Sequence, residues 1–216
     1  MRNQKKVTVM DYGLGNLLSV SRAIEECGAT ASITDNRKDI ANSDYLVLPG
    51  VGNFSVAIQE LRNRGFEDAI LEYCLKKRPL LGICLGMQLF FDTSEEQGLH
   101  NGLGIISGSV KAIPKINQKG LSNKIPHIGW APLSVNLESK IGAKAFLDKN
   151  YNGNFFYFIH SFQGHTDKPE ECIATTKYND IDITAVIQKG NTVGCQFHPE
   201  KSGKHGIKFL KKFLNL

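Results

Sequence analysis

Short apolar segments alternate with longer amphipathic ones through the first half of this chain, and this alternation restricts the fold more than any other feature. Residues 6–11, 44–48 and 79–83 are apolar runs, and stretches with helical spacing follow them. Runs that are apolar on both faces are typical of parallel strands buried between helices. The alternation therefore predicts a flavodoxin-like α/β fold with a mostly parallel central sheet and helices on both faces.

The helices of this first half are predicted from apolar spacing and from glycine breaks. Residues 14–27 end at Gly28, residues 53–76 are interrupted at Gly65, and residues 85–91 read as a buried helix. A weak strand is predicted at residues 31–34.

The second half is richer in strands. Short strands are predicted at residues 109–113, 127–130, 154–159, 172–177, 181–188 and 192–197, and an amphipathic helix at residues 201–212. We expect extra antiparallel strands that extend and flank the first sheet, with the last helix packed back onto it. No linker is visible, and 216 residues with 41% apolar composition suit one core, so we expect residues 1–216 to form a single domain.

Charge and composition exclude several classes of protein. The net charge of +5 comes from scattered lysines, so we expect no nucleic-acid partner. The first six residues are polar and no apolar run approaches the roughly 20 residues that span a bilayer, so we expect a cytoplasmic protein without a membrane partner. The five cysteines form no Cys-x-x-Cys pair, which favours reduced thiols over disulfides or a metal site.

The segment Gly82-Ile83-Cys84-Leu85-Gly86 has the pattern of a nucleophile elbow, with Cys in the place of Ser between a strand and a helix. The flanking glycines allow the strained turn to approach its neighbours closely. A thiol at a helix N-terminus is favoured as the thiolate, the reactive form. Alternatively, Cys84 is a small core residue in a glycine-rich turn, so the elbow needs partners to be interpreted.

A candidate base lies in Gln196-Phe197-His198-Pro199-Glu200. An extended segment would place the side chains of His198 and Glu200 on one face, so that the carboxylate orients the imidazole. An exposed turn is the alternative for this segment alone. Cys84 and His198 both follow apolar strands, and parallel strands of one sheet bring such residues to the same edge.

The turn Pro49-Gly50-Val51-Gly52 follows the strand at residues 44–48 and should reach the same edge. An oxyanion hole needs two N–H donors. Leu85 would supply one, and Val51 or Gly52 the other. A tight surface turn is the alternative.

These motifs, G-I-C-L-G-M-Q and Q-F-H-P-E, resemble those of the class I glutamine amidotransferases, and the resemblance covers nearly the whole chain. Within that class, D-Y-G-L-G-N (11–16), L-P-G-V-G (48–52), P-H-I-G-W (126–130) and Q-F-H-P-E-K-S-G (196–203) resemble the glutaminase subunits of imidazole glycerol phosphate synthases. The resemblance implies glutamine hydrolysis for histidine biosynthesis, with Cys84 as nucleophile, His198 as base and Glu200 as its orienting carboxylate.

The resemblance also implies how substrate and partner are bound. Gly50, Gln88, Glu96 and the backbones of Ser161 and Phe162 would hold glutamine. The partner would be a cyclase subunit with a (β/α)8 barrel, which receives the ammonia and converts a ribulosyl nucleotide. No cofactor is implied. The turn at residues 49–52 would change conformation when the partner binds its nucleotide.

Two positions depart from the pattern of that family. Phe162-Gln163 stands where Tyr-Tyr is usual, and Ala131, expected in a loop, stands where Asn is usual. A paralogous subunit that supplies ammonia to a cell-surface sugar amidotransferase is therefore an alternative. A cysteine hydrolase and a non-enzymatic regulatory subunit are alternatives from other classes.

Overall fold

The computed structural model describes residues 4–117, 119–137 and 145–216; residues 1–3 of the polar start lie outside them. The strands of the first half are β1 (Lys6–Met10), β2 (Thr30–Thr34), β3 (Tyr45–Leu48), β4 (Leu80–Ile83), β5 (Phe91–Ser94) and β6 (His100–Asn101). Those of the second half are β7 (Ile106–Ala112), β8 (His127–Pro132), β9 (Ser134–Val135), β10 (Phe155–His160), β11 (Phe162–Thr166), β12 (Cys172–Tyr178), β13 (Ile181–Lys189) and β14 (Thr192–Cys195). The helices are α1 (Leu17–Glu26), α2 (Arg37–Asn42), α3 (Phe54–Asn63), α4 (Phe66–Leu75), α5 (Leu85–Gln88) and α6 (Gly203–Phe213).

Eight of the described strands form the central sheet, in the order β2-β1-β3-β4-β14-β13-β12-β9. The pairs from β2 to β14 are parallel, and those from β14 to β9 are antiparallel. The predicted α/β fold with a mostly parallel sheet and additional antiparallel strands is confirmed. The last strand of the chain, β14, lies in the middle of the sheet beside β4.

Not all strands of the second half extend this sheet. Strands β8 and β10 form an antiparallel pair of their own, and β11, β7, β5 and β6 form a further small sheet. The sequence patterns did not predict α2, β5, β6, β9 and β11. Its prediction that the later strands extend or flank the first sheet holds for both groups.

Two clusters of buried apolar side chains hold the layers together. One cluster includes residues of α1 and α6, and the other includes residues of α3 and α4. Phe209, Leu210 and Phe213 place the last helix in the first cluster, as predicted. Gly65, with φ of 64°, separates α3 from α4, again as predicted.

The sequence predictions for residues 85–91 and for Ala131 are wrong. The helix predicted at residues 85–91 ends at Gln88, because the carbonyls of Leu89 and Phe90 accept hydrogen bonds from the N–H groups of residues 103, 105 and 106 instead of continuing the helix. Ala131 lies within strand β8 and its side chain is buried, so it does not belong to a loop. Among the described helices, none is long and apolar enough to cross a membrane.

Candidate active site

Cys84 lies at the C-terminal end of β4, in the middle of the sheet. Its backbone has φ of 53° and ψ of −108°, a conformation that a residue with a side chain adopts only when its surroundings impose it. The N–H of Cys84 donates to the carbonyl of Cys195 at 2.7 Å, which ties the elbow to the end of β14. The strain and the position agree with the predicted nucleophile elbow.

The two glycines that flank the elbow, Gly82 and Gly86, have no room for a side chain. A Cβ on Gly86 would lie 1.9 Å from the carbonyl oxygen of Leu48, and a Cβ on Gly82 would lie 2.5 Å from the ring of Phe90. Both distances are far below van der Waals contact. The elbow can therefore pack against β3 only without these side chains.

His198 follows β14 and faces the elbow from the neighbouring strand. Residues Pro199–Lys201 form a 3₁₀ turn, so the predicted extended segment is wrong; the turn brings the two side chains together instead. The Nδ1 atom of His198 lies 2.7 Å from Oε1 of Glu200. The N–H of His198 donates to the carbonyl of Tyr157 at 2.9 Å, which fixes the turn against β10.

The imidazole of His198 is charged at neutral pH. Burial lowers its pKa, but the neighbouring side chains of Cys84 and Glu200 raise the pKa to about 10. Nε2 of His198 makes no hydrogen bond of standard geometry to the described residues, yet Cys84 is close enough to shift the pKa of the ring. A positively charged imidazole close to a cysteine is one of the surroundings that activate a cysteine nucleophile.

A cavity of about 290 Å³ opens above Cys84. Most of the site residues predicted from the sequence line this cavity. The lining consists of Val51, Gly52, Cys84, Leu85, Gln88, Glu96, Pro126, Ile159, His160, Ser161, Phe162 and His198. Glu200 lies behind His198, with a side chain that is 1% exposed.

The side chains of Gln88 and Glu96, which line the cavity, form hydrogen bonds with other residues of the protein. Gln88 donates from Nε2 to the carbonyl of Phe162 and to Oε1 of Gln196, each at 3.0 Å. Oε2 of Glu96 accepts from the N–H of Phe54 at 2.8 Å, at the start of α3. Each side chain thus enters the cavity in a fixed orientation.

The turn at residues 49–52 rests on a buried tyrosine. The hydroxyl of Tyr12 donates to the carbonyl of Pro49 at 2.8 Å. Gly50 packs beneath the cavity, where a Cβ would lie 2.5 Å from that hydroxyl and 3.0 Å from the backbone nitrogen of Gly86. Val51 and Gly52 line the cavity itself. Gly50 therefore supports the elbow, and the next two residues reach the space above it.

A pair of buried histidines closes one side of the cavity. Nδ1 of His127 lies 3.1 Å from Nε2 of His160, and Nδ1 of His160 lies 2.8 Å from the carbonyl oxygen of Phe162. Burial lowers the pKa of His127 to about 4 and is the main reason why that of His160 falls to about 3. Both rings are neutral at pH 7, so His160 donates from Nδ1 and accepts at Nε2.

Several residues of the site escaped the sequence analysis. Tyr12 and Gln196 belong to motifs that were noted for other residues, and His127 and His160 were not among the predicted site residues. Tyr12 and Gln196 reach the site because the fold buries their side chains beside it, and spacing along the sequence cannot show this.

In the described part of the chain, no three His, Cys, Asp or Glu side chains form a group that could hold a metal ion.

Known proteins match this chain over nearly its full length. The family described as glutamine amidotransferase class-I matches residues 8–216. Imidazole glycerol phosphate synthase subunit HisH of Geobacillus sp. is 42% identical over 210 residues, covering 97% of this chain and 96% of its own. The subunit of the same name from Caldanaerobacter subterraneus subsp. tengcongensis is 44% identical over 207 residues, covering 96% of each. The solved structure of PurLQS from Thermotoga maritima has a TM-score of 0.70 at 18% identity, covering 98% of each chain, which shows the fold alone.

The fold, the elbow and the matched family define the class of protein. This chain belongs to the class I glutamine amidotransferases. Its identity to the curated relatives places it, within that class, in the family of imidazole glycerol phosphate synthase subunit HisH.

Proposed function

We propose that this chain is the glutaminase subunit of an imidazole glycerol phosphate synthase and hydrolyses glutamine at Cys84 for histidine biosynthesis. The observation that carries the proposal is the contact of 2.7 Å between Nδ1 of His198 and Oε1 of Glu200, with Cys84 in the same cavity. A carboxylate, an imidazole and a thiol in this order are the parts of a Cys-His-Glu triad. Family membership selects glutamine among the acyl substrates that such a triad could attack.

The reaction starts from the ion pair of thiolate and imidazolium. Sγ of Cys84 attacks the side-chain carbonyl carbon of glutamine, a C–S bond forms, and the carbonyl oxygen takes the negative charge. The N–H of Leu85 and that of Val51 or Gly52 are the candidate donors to this oxygen, because all three residues line the cavity. The C–N bond then breaks as His198 gives its proton to the departing nitrogen, which leaves as ammonia.

The second half of the reaction restores the cysteine. His198, now neutral, takes a proton from a water molecule that attacks the glutamyl thioester. The C–S bond breaks, its electron pair returns to Sγ, and glutamate leaves. Glu200 keeps the ring of His198 in place during both halves, since its contact with Nδ1 leaves Nε2 for the transferred proton.

The remaining cavity residues hold glutamine in this proposal. Glu96 offers a carboxylate to the α-ammonium group, and Gln88 offers its carbonyl oxygen because both hydrogens of its amide are taken. The carbonyl of Ser161 accepts from the N–H of Ile113 at 2.9 Å, and that of Phe162 accepts two hydrogen bonds. Contacts of glutamine with these two backbones would therefore use N–H groups.

The cyclase subunit is proposed to dock on the antiparallel pair β8–β10. One face of this pair is exposed and apolar, with Ile128 at 53%, Trp130 at 54%, Phe155 at 50% and Ile159 at 39% exposure. Ile159 also lines the cavity, so a barrel docked on this face would stand beside the place where ammonia is released. Exposed aromatic residues next to a site are typical anchors of an interface.

The turn at residues 49–52 is proposed to respond to the partner. Val51 is 41% exposed at the mouth of the cavity, and Gly52, with φ of 103°, has no neighbour that would restrict it within 4 Å of an added Cβ. Such a turn can change its peptide orientation at low cost. The chain would then act as one glutaminase domain in the cytoplasm, with low activity until the cyclase binds its nucleotide.

Glutamine hydrolysis measured with and without the cyclase and its ribulosyl nucleotide tests these proposals. We expect hydrolysis in the complex, loss of it in Cys84→Ala, and a clear increase when the nucleotide is added. Equal rates in all states of the wild-type complex would contradict activation. Co-purification with a sugar-modifying system instead of the cyclase would favour the paralogous subunit.

A further inference from the structure

Gln196 is a buried polar residue to which the proposed mechanism gives no role. It is 0% exposed and lies between the end of β14 and the elbow. Its Nε2 donates to Sγ of Cys84 at 3.5 Å, and its Oε1 accepts from Nε2 of Gln88 at 3.0 Å. The side chain thus connects the nucleophile to the glutamine-binding part of the cavity.

The direction of these bonds follows from the groups around them. The carbonyl of Phe162 can only accept, so Gln88 must turn its NH₂ group toward it. The other hydrogen of that NH₂ group then faces Gln196, which must present its oxygen. The NH₂ group of Gln196 is left to face Cys84. Reversing either amide would place two donors or two acceptors in contact.

Cys84 needs a donor at this position because its helix is short. Helix α5 has four residues, which is too little for a substantial dipole at its N-terminus. The carbonyl oxygen of Ile159, 3.9 Å from Sγ, can only accept and so favours the neutral thiol. Among the hydrogen bonds of the described residues, the one that reaches Sγ of Cys84 from a side-chain donor comes from the amide of Gln196.

We propose that Gln196 is a further catalytic residue, whose side-chain amide stabilises the thiolate of Cys84 and whose orientation is set by Gln88. This inference rests on the proposed glutaminase function. It applies to the resting enzyme and again to thioester hydrolysis, when the C–S bond breaks and its electron pair returns to Sγ. A hydrogen bond to a charged acceptor is stronger than one to a neutral acceptor, so the amide favours both of these states.

The test is the pH dependence of Cys84 alkylation in Gln196→Met, which keeps the length of the side chain and removes the donor. The complete chain is treated with iodoacetamide between pH 5 and 10, and labelling of the peptide that contains Cys84 is followed by mass spectrometry. We expect the midpoint of alkylation to move upward, with roughly tenfold less labelling on the acidic side. We also expect slower hydrolysis of glutamine in the complex.

Two further variants control for packing. Gln163→Met removes another buried glutamine, which is 2% exposed and accepts from the N–H of Thr184 at 3.4 Å; its alkylation profile should match that of the wild type. Gln196→Glu keeps the shape and the acceptor for Gln88 but turns an acceptor toward sulfur, so its midpoint should rise at least as far as that of Gln196→Met.

The outcomes separate this inference from the proposed function. A wild-type complex that hydrolyses glutamine, together with unchanged alkylation profiles in both Gln196 variants, would overturn the role of Gln196 alone. A wild-type complex without glutaminase activity would overturn the proposed function, and with it the role of Gln196 in catalysis.

Discussion

The side chains of Glu200 and His198 form a buried pair next to Cys84. The side chains of His198 and Glu200 are 3% and 1% exposed, and Oε2 of Glu200 makes no hydrogen bond to any described residue. A buried carboxylate in this state is costly unless a positive charge lies beside it. The imidazolium of His198 supplies that charge, so the pair is stable only as a unit.

Replacing Glu200 by Gln is expected to lower kcat of glutamine hydrolysis by about a hundredfold or more, since general acid-base catalysis depends on the placement of His198. The loss of the negative charge should also lower the pKa of His198 from its value of about 10. The high-pH limb of the rate profile should therefore move to lower pH. Steady-state kinetics of the complex across pH measure both effects.

Glu60→Gln is the matched control, because it removes a surface carboxylate that pairs with Arg64 at 3.2 Å. Its kinetics should match those of the wild type. A Glu200→Gln enzyme with unchanged kcat would show that the carboxylate has no part in the reaction.

The histidine pair of His127 and His160 should make the fold sensitive to acid. Their pKa values are about 4 and about 3 in the folded protein, below the ordinary value of about 6.5. At a pH between the folded and the ordinary pKa values, the unfolded chain binds more protons than the folded protein does. The free energy of unfolding therefore rises with pH, by up to about 1.4 kcal/mol per pH unit for each group. This stability is present above pH 6.5 and is lost as the pH falls toward 4.

The variant His127→Phe isolates this effect in urea unfolding measured from pH 4 to 7. Phenylalanine keeps the stacking with Tyr178, whose ring centroid lies 4.1 Å away, and removes one titrating ring. We expect a flatter dependence of stability on pH than in the wild type. A slope in His127→Phe equal to that of the wild type would contradict the prediction.

At the scale of elements, helix α6 determines where the turn Pro199–Lys201 can lie. A Cβ on Gly206 would lie 1.8 Å from the carbonyl oxygen of Pro199, the residue between His198 and Glu200. The helix therefore touches the turn through its backbone, at a position that has no room for a side chain. Ser202 adds a hydrogen bond to the carbonyl of His198 at 2.6 Å.

Gly206→Ala is expected to push the turn away from α6 and so displace both side chains. We expect a loss of stability of about 1–3 kcal/mol, as for other overpacked sites, and a fall in glutaminase activity of tenfold or more. Urea unfolding and kinetics of the complex measure the two quantities. Lys204→Ala, at an exposed position of the same helix, should change neither; wild-type activity in Gly206→Ala would show that the turn does not depend on this contact.

The sequence predicted the elements whose residues carry local signals. Apolar runs predicted the parallel strands. The need for a flexible or unhindered backbone predicted the break at Gly65 and the glycines of the elbow. Each of these signals lies within a few residues. The end of α5 was missed because Leu89 and Phe90 bond to residues 103–106, which pattern cannot show. The turn after His198 was misread for a similar reason: Pro199 fits an extended segment and the start of a 3₁₀ turn equally well.

At the scale of the whole molecule, the sheet edge that carries Cys84 and the apolar face of β8–β10 meet at one cavity, which both Cys84 and Ile159 line. The sequence predicted the edge, because parallel strands of one sheet end there. It did not predict the face, since the separation of β8 and β10 from the main sheet depends on long-range pairing. Trp130 and Tyr157 meet on this face with ring centroids 6.0 Å apart.

Trp130→Glu is expected to weaken binding of the cyclase at least about tenfold, because it places a charge in the centre of a proposed apolar interface. Titration calorimetry of the two subunits measures the change in Kd. Leu75→Glu is the matched control: Leu75 is 83% exposed, at the end of α4 that precedes β4 and thus away from the catalytic edge. Equal affinity of the wild type and Trp130→Glu would place the interface elsewhere.

The central position of β14 has a consequence for synthesis of the chain on the ribosome. The first four parallel strands and Cys84 emerge early, but the sheet has an unpaired edge at β4 until residues 192–195 enter beside it. His198 and Glu200 follow only then. A nascent chain would therefore carry the proposed nucleophile without its proposed base, and the proposed triad would become complete in the same step that closes the sheet.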